Sequence, residues 1–464
     1  MILYLDRREV PDLEELPAEV IAWCVRKGEQ AAGRYHRLDR YYRGDHDIFH
    51  RRREGDEIPV AVNYAKYVVD VPLDYYLGQE VKYDPNPAAG GRGESLRRLM
   101  NCYWQQHISR LDRAIGRTMG VMGDCLELCY ASGEEDPMPR SALVDPRNGI
   151  LVCDTSVEHK KLFALVWDRR ERPTGERYYA VCCYTDRSCR CYESGDLERA
   201  LFHPTGPAVP HYFGAVPVIC YENNDCRQGD FEQILSLIDA YDELLSSRLT
   251  DKKKFVDALL VFYGMTLAPG EEEKLHRERF IDGAPLDARA EYIQKTFDEV
   301  GVQVLADALV REMHKMTLTV DLSDEHFAGT ASGQALKLKL LAMDQLARGK
   351  MGQMERGLRE RMALYGHWLA VKGAAEKICP EEVDVVFTLN LPINERERVE
   401  LVRDLKDMVD EQTLLSQLWF IKDPAEAANN LRREREKKGT AGAAREIEKN
   451  RRDKGTGGAE EEAE

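Results

Sequence analysis

The sequence predicts an α+β fold with several long helices and one β-rich region. Between residues 121 and 217, short runs rich in Val, Tyr, Phe and Cys alternate with Gly, Pro and Asp turns, as antiparallel strands do. Two long helical patterns follow, over 229–257 and 298–320, and a third begins near residue 333. Of the 464 residues, 43% are hydrophobic, which is enough for a packed core of two to four domains.

The elements before residue 121 follow from apolar spacing and from helix-breaking residues. They are helices over 12–42, 63–77 and 96–119 and a strand over 80–83. Asn63 is the candidate N-cap of the second helix, because an Asn side chain can accept from the free N–H groups of the first turn. Pro72 is expected to kink or split that helix, because it removes a backbone hydrogen bond.

The two long helical patterns enclose a smaller αβ insert at 258–297. The insert contains an acidic patch, Glu271, Glu272 and Glu273, and one predicted strand near residues 288–295. Two long helices around a compact insert form a hairpin that protrudes from the rest of the chain. The chain itself cannot cover both faces of such a hairpin. The pattern therefore predicts an oligomer.

A short polar loop and a long basic helix follow at 321–361. Apolar residues recur at near-helical spacing, and basic residues lie between them, which suits a helix packed on one side and solvated on the other. The plain alternative is an amphipathic core helix with a solvated face. Beyond it we predict a strand at 383–391, helices over 394–409, 412–418 and 423–438, and a disordered tail at 439–464.

The charge balance limits how the chain can contact nucleic acid. There are 66 Lys and Arg against 82 Asp and Glu, a net charge of −16. A protein that grips duplex DNA through its phosphates is normally basic, so any DNA contact should be local or sliding. The N-terminus has no signal-peptide core and no apolar run is long enough for a membrane span, so a cytoplasmic protein without membrane contact is expected.

Twelve cysteines are present, and four of them cluster at Cys182, Cys183, Cys189 and Cys191. Their spacing matches none of the usual zinc patterns. We expect reduced thiols packed on strands, because disulfides are rare in the cytoplasm. A metal site at this cluster is the alternative that the sequence leaves open.

Catalytic motifs are absent from the sequence. It has no P-loop, no H-E-x-x-H and no G-x-S-x-G, and the histidines at 46 and 50 are expected to be polar surface. We therefore expect no enzyme activity, no cofactor and no catalytic metal. One alternative remains at this point: a metal-dependent nuclease with carboxylates scattered through 221–330.

Several segments, in order along residues 35–435, resemble the SPP1-type bacteriophage portal protein family. They include YYRGDHDI (41–48), YYLGQEVKY (75–83), GDFE and LIDAY (229–241), FAG and SGQALK (327–337), PIN (392–394) and TLLSQL (413–418). Pro72, Glu80 and the cysteine-rich hairpin depart from the family pattern. These departures concern the local geometry of the first part of the chain.

The resemblance implies a portal-protein fold and a ring, typically a dodecamer, at one capsid vertex. Double-stranded DNA would slide through the ring without sequence specificity. The alternative to a portal is another ring-forming head–tail connector. The implied parts are a wing at 1–228 and 333–391, stem helices at 229–257 and 298–320, a clip at 258–297, a tunnel loop at 321–332 and a crown at 392–438. The implied partners are the terminase large subunit, a head-completion or adaptor protein, the scaffold and the major capsid protein, in the virion and in the host cytoplasm during assembly.

Three groups of residues are the candidate sites. The tunnel loop would carry Leu322, Ser323, Asp324, Glu325, His326, Phe327, Ala328 and Gly329. Basic rings would come from Lys252, Lys253, Lys254, Lys337 and Lys339, for which the alternative is ordinary salt bridges between subunits. The clip docking surface would carry Glu271, Glu272 and Glu273.

Overall fold

A computed structural model describes most of the chain. The described residues are 1–52, 57–86, 93–133, 135–256, 259–264, 289–293, 299–322 and 333–390, with short stretches at 403–405, 409–416, 421, 427–433 and 435. The chain divides into two compact units. The first consists of Met1–Thr330 and Leu336–Asn390, and the second of Ala331–Ala335 and Leu391–Glu464.

Helices and strands alternate in blocks, as an α+β fold requires. The helices are α1 (Ala18–Tyr42), α2 (Tyr64–Leu77), α3 (Gly93–Gln105), α4 (Ile108–Met122), α5 (Leu235–Val256), α6 (Glu299–Thr317), α7 (Gly333–Val371) and α8 (Glu411–Ser416). The strands are β1 (Ile2–Leu5), β2 (Lys82–Pro85), β3 (Asp124–Ala131), β4 (Pro139–Val144), β5 (Gly149–Asp154), β6 (Lys161–Glu171), β7 (Arg177–Tyr184), β8 (Ser188–Ser194), β9 (His203–Pro204), β10 (Val209–Pro210), β11 (Val218–Glu222), β12 (Leu259–Tyr263), β13 (Arg289–Ile293) and β14 (Val383–Val386).

The β-rich region forms two sheets, which confirms the predicted run of antiparallel strands. The larger sheet has the order β1-β5-β6-β7-β8-β10, with β9 also paired to β8, and the smaller has the order β11-β3-β4. Only the pairing of β1 with β5 is parallel among the described strands of these sheets. β1 was not predicted, because a four-residue strand has no clear period of its own.

The larger sheet is covered on both faces. One face packs on α1, where Trp167 of β6 lies so close to Gly28 that a Cβ there would be 2.3 Å from the indole ring. The other face packs on the smaller sheet through Leu151, Ala164 and Val218. A third core joins α1, α2 and the ends of α4, α5 and α6. The β-rich region is therefore a three-layer body with a helical side.

Local chemistry explains where the first helices begin and end. Asn63 caps α2 as predicted, since its side chain accepts from the Lys66 N–H, and the helix continues through Pro72 rather than splitting there. Two expectations need correction. α1 begins at Ala18, after Pro17, and not at residue 12. The helix predicted over 96–119 is two helices, because His107 adopts a left-handed conformation with φ of 51° between α3 and α4.

The predicted hairpin of long helices is present. α5 and α6 run antiparallel: Gln233 donates to the Met316 carbonyl at one end, and Lys252 pairs with Glu299 at 2.8 Å at the other. Between them β12 and β13 form an antiparallel ribbon, so the predicted strand near 288–295 is confirmed. No helix in the described ranges combines the length and the apolar character needed to cross a membrane.

The later predictions are confirmed in part. The predicted strand at 383–391 is β14, which is shorter and pairs antiparallel with β2. The short helix predicted at 412–418 is α8, and residues 427–433 are helical. Almost all of the helix predicted over 394–409, and the whole tail at 439–464, lie outside the described residues.

The cysteine prediction was wrong for one pair. Cys182 and Cys191 lie directly opposite each other on β7 and β8 and form a disulfide, with a Cα–Cα distance of 4.1 Å. The register of the hairpin produces this pairing, because it places the two side chains on the same face of adjacent strands. The other cysteines of the cluster, Cys183 and Cys189, are free.

Candidate functional site: the long helix and its anchors

The long helix α7 has 39 residues and spans about 58 Å at 1.5 Å per residue. Its start at Gly333 agrees with the sequence prediction. The buried apolar residues on it follow a helical stripe: Leu340, Met343, Ala347, Met354, Leu358 and Met362. Two basic residues that were expected on the solvated side, Lys350 and Arg361, are buried on that stripe instead. They hold the helix to distant parts of the chain.

Arg361 is the centre of a fully buried charge cluster. Its side chain is 0% exposed and reaches Glu127 of β3 through Nε, at 2.6 Å, and Asp112 of α4 through a terminal nitrogen, also at 2.6 Å. The Tyr221 hydroxyl donates to Glu127 at 2.6 Å. Burial raises the pKa of Asp112 against the attraction of Arg361, and the nearby carboxyl group of Glu127 raises it further. The cluster ties α7 to both α4 and the smaller sheet.

α7 comes unusually close to β11 at Gly357, where the helix lies against the ring of Tyr221. A Cβ at that position would lie 2.2 Å from the tyrosine ring. Only a glycine allows this approach. The glycine therefore determines how deeply the helix sits over the charge cluster.

Lys350 forms a second buried anchor. Its side chain is 4% exposed, and its Nζ lies 2.6 and 2.7 Å from the two carboxylate oxygens of Asp230 and 2.8 Å from Asn223 Oδ1. The Asp230 N–H donates to the Gly120 carbonyl at the end of α4, at 2.7 Å. This anchor therefore joins α7, α4 and the segment that leads into α5.

Tyr67 of α2 holds the start of the predicted loop. Its hydroxyl donates to the Val320 carbonyl at 2.9 Å and accepts from the Leu322 N–H at 2.9 Å. His314 packs edge-on against the same ring, and its Nδ1 donates to the Thr319 carbonyl at 3.1 Å. One hydroxyl thus fixes the last described residues before the loop.

Tyr67→Phe is expected to release this segment. Loss of both hydrogen bonds should lower the free energy of local opening at residues 320–322 by about 1 kcal/mol. Amide exchange at these residues should therefore be about fivefold faster. Hydrogen exchange followed by mass spectrometry measures this. Tyr130→Phe, at an exposed tyrosine on β3, is the control and should change nothing at 320–322. Equal exchange in Tyr67→Phe and the unchanged protein would show that the bonds do not hold the segment.

An extended strap, residues 57–62, runs along α5. The N–H groups of Ile58, Val60 and Val62 donate to Thr250 Oγ1, Ser246 Oγ and Asp242 Oδ1, at 3.0, 2.8 and 2.9 Å. Every second residue of the extended strap lies beside every fourth residue of the helix. The three side chains that accept these bonds therefore all lie on one face of α5. Asp242 also lies 2.5 Å from Nδ1 of the buried His46, which was expected at the surface.

Ser246→Ala is expected to loosen the strap. It leaves the Val60 N–H without its partner and removes the bond from Ser246 Oγ to the Val60 carbonyl. The cost should be about 1–3 kcal/mol of unfolding free energy, measured by urea denaturation. Ser247→Ala on the exposed side of α5 is the matched control, with little effect expected. Similar losses in the two variants would mean that the strap adds no stability.

The structure describes only part of the predicted site residues. Leu322 is exposed, Lys252 pairs with Glu299, and Lys253 is exposed. The loop residues Ser323, Asp324, Glu325, His326, Phe327, Ala328 and Gly329 and the acidic residues Glu271, Glu272 and Glu273 lie outside the described residues, as do the side chains of Lys254, Lys337 and Lys339. The anchors Arg361, Lys350 and Tyr67 were missed by sequence reasoning. For the two basic residues a signal existed, because both interrupt the apolar stripe of α7.

Comparison with known proteins identifies a family and a curated relative. The family model described as "Phage portal protein, SPP1 Gp6-like" matches residues 21–440. The portal protein of Bacillus phage SPP1 is 26% identical over 309 residues, which cover 61% of this chain and 59% of that protein. The aligned part thus spans about three fifths of the relative's length.

The match across 21–440 covers nearly all of the described residues and places the chain in the class of phage portal proteins. Within that class, the chain belongs to the SPP1 Gp6-like family. This agrees with the resemblance seen in the sequence. The α+β fold, with its sheets, long helices and ribbon, is consistent with it.

Proposed function

We propose that the chain is the subunit of a ring-shaped channel at one capsid vertex, through which double-stranded DNA is packaged and ejected. Family membership over residues 21–440 is the observation that carries this proposal. Phage portal proteins are structural components of the virion, so the energy for DNA movement would come from a partner, the terminase large subunit. The head-completion or adaptor protein, the scaffold and the major capsid protein would be further partners.

The parts of the channel follow the divisions of the chain. The wing would be 1–228 with 333–391, the stem 229–257 and 298–320, the clip 258–297, the tunnel loop 321–332 and the crown 392–438. The antiparallel pair of α5 and α6 and the ribbon between them support the stem and clip. Tyr67 and the anchors of α7 support a loop that is fixed at its base on one side and backed by a rigid helix on the other.

Exposed apolar side chains on the stem support a ring of several copies, for which we propose twelve. Leu249 on α5 and Val300, Val304 and Leu305 on α6 all lie in water in the single chain. Burying apolar surface stabilises association by about 25 cal/mol per Å². Each helix of the pair covers only one face of the other. A neighbouring subunit would cover the exposed side chains on the remaining faces.

The charges suit a channel through which DNA slides. A ring repeats every charge, so a strongly basic bore would hold the phosphates. Glu299 compensates Lys252 within the subunit, with Arg248 contacting the same carboxylate at 3.4 Å. Of the described members of the predicted basic rings, Lys253 is therefore the better candidate for facing DNA. The net charge of −16 keeps such contacts local.

The two alternatives gain no support from the structure. A metal-dependent nuclease needs clustered carboxylates, whereas the described residues group metal-ligand atoms only at three cysteines. A smaller connector would not need the wing, two stem helices and a long helix together.

Negative-stain electron microscopy of the purified full chain tests the proposal. The unchanged protein should give rings with a central hole and about twelvefold symmetry. Val304→Glu, at a residue that is 63% exposed on α6, should abolish the rings, because it places a charge in the proposed contact. Val157→Glu is the matched control, since Val157 is 99% exposed in the turn between β5 and β6, and it should assemble normally.

Two outcomes of that experiment would count against the proposal. Compact monomers of the unchanged protein, still single at high concentration, would overturn the ring. Rings of Val304→Glu that match those of the control would move the subunit contact away from α6. Packaging of DNA into heads with the terminase present is the second measurement, and should require the rings.

A further inference from the structure

Three cysteine side chains share one face of the β7–β8 hairpin. Cys182 is paired with Cys191, and Tyr184 with Cys189, so the register places Cys182, Cys189 and Cys191 on the same side. Their sulfur atoms all lie within 4.8 Å of one another. Cys183 faces the opposite side and is buried in the core against α1. The hairpin thus places three grouped sulfur atoms on one face and one packed thiol on the other.

The grouped cysteines are also accessible from solvent. All three are partly exposed, in contrast to the buried cysteines at 24, 102, 125, 129, 153, 183 and 220. A reagent or an ion can therefore reach them without unfolding of the sheet. Buried cysteines are inert, whereas accessible ones can react and bind metals.

We propose that Cys182, Cys189 and Cys191 form a redox-controlled site for one thiophilic metal ion, with the Cys182–Cys191 disulfide as its closed state. A metal–sulfur distance of about 2.3 Å places three thiolates around one ion about 4 Å apart. Cys189 Sγ already lies within 4.8 Å of the other two sulfur atoms, and reduction of the disulfide frees Cys182 Sγ and Cys191 Sγ to separate to this spacing. Each sulfur comes from a strand of the same hairpin, so the backbone holds the donors in place.

Cys189 supports a metal site over a plain disulfide. It lies two residues along β8 from Cys191 and diagonal to Cys182 on β7, where side chains are about 7–8 Å apart at the backbone. That distance is too long for a disulfide without backbone movement. Cys189 therefore stays a thiol when Cys182 and Cys191 are joined, and completes a set of three donors when they are not.

Opening the site is a balanced exchange. A small dithiol reduces the Cys182–Cys191 bond: its two sulfur atoms are oxidised to a disulfide, and its two protons pass to the protein sulfurs. Binding of the ion then displaces the thiol protons. In a reducing cytoplasm the open form would predominate, and in an oxidising medium the closed form.

The donor set favours a monovalent copper ion. Soft thiolate ligands select Cu⁺ and Zn²⁺ among the biological metals. A structural zinc site takes four protein ligands, and no fourth histidine, cysteine or carboxylate joins the three sulfurs among the described residues. Three thiolates alone suit Cu⁺, so Zn²⁺ should bind more weakly and with an external ligand.

Titration of the reduced full-length protein with Cu⁺, and separately with Zn²⁺, tests the site. A chromophoric chelator competes under anaerobic conditions. We expect one Cu⁺ per chain. Binding should be at least about 100-fold weaker in Cys189→Ser, where one soft ligand is replaced by a hydroxyl group. It should be weakened at least as much in the protein with its disulfide intact, where the thiolates of Cys182 and Cys191 are missing. Cys226→Ser, at an exposed single cysteine, should bind as the unchanged protein does. Equal binding by Cys189→Ser and Cys226→Ser would overturn the proposal.

Alkylation gives a second measurement that needs no variant. Cu⁺ should protect Cys182, Cys189 and Cys191 of the reduced protein from iodoacetamide, while Cys226 continues to react. Mass spectrometry of the peptides reads each cysteine separately. Unchanged alkylation of the three cysteines in the presence of Cu⁺ would also overturn the proposal.

Discussion

Arg361→Met should lower the free energy of unfolding by about 3–5 kcal/mol, one of the two largest effects that we expect in this protein. The side chain is 0% exposed and is the cation of a cluster with two carboxylates, Glu127 and Asp112. Without it both carboxylates stay buried and lose their compensating charge. Urea denaturation followed by circular dichroism measures the loss.

Two further variants identify the cause of that loss. Arg348→Met changes an exposed arginine of the same helix that pairs with Asp344, and should leave the unfolding free energy nearly unchanged because water solvates both charges. Adding Glu127→Gln and Asp112→Asn to Arg361→Met should restore much of the stability, since no uncompensated charge remains. If Arg361→Met were as mild as Arg348→Met, the buried carboxyls would have to be neutral already.

The features that the sequence predicted are those that local chemistry determines. Asn63 caps α2 because an Asn side chain and the Lys66 N–H are three residues apart, and the period of α7 lies within the helix itself. β1 was missed because its partner β5 is about 150 residues away and β1 alone has only four residues. The break at His107 carries no Gly or Pro, so no local signal marked it.

The anchors show the same limit at the candidate site. Arg361 and Lys350 could have been flagged, because charged residues on an apolar stripe are seldom buried without partners. Their partners could not be named, since Glu127 and Asp230 are 234 and 120 residues away in the chain. The disulfide depends in turn on the register of β7 and β8, which apolar spacing does not define. The function was inferred from the family resemblance, whereas the anchors became visible only in the three-dimensional contacts.

Lys350→Met is the other substitution with a large expected effect, again about 3–5 kcal/mol of unfolding free energy. The lysine is 4% exposed and contacts both oxygens of Asp230, whose own side chain is 8% exposed. Asn223 Nδ2 would remain as a donor to Asp230, but a neutral amide does not replace the lost charge. The loss should therefore resemble that of Arg361→Met and greatly exceed that of Arg348→Met, in the same urea denaturation.

The Asp230→Asn change distinguishes a buried charge from lost packing. Asn keeps the shape of Asp230 and removes its charge, so the variant with both Lys350→Met and Asp230→Asn should be more stable than Lys350→Met alone. Recovery would place the penalty on the unpaired carboxylate, because the methionine packs equally well in both variants. No recovery would mean that the lysine acts through its hydrogen bond to Asn223 and its packing rather than through charge.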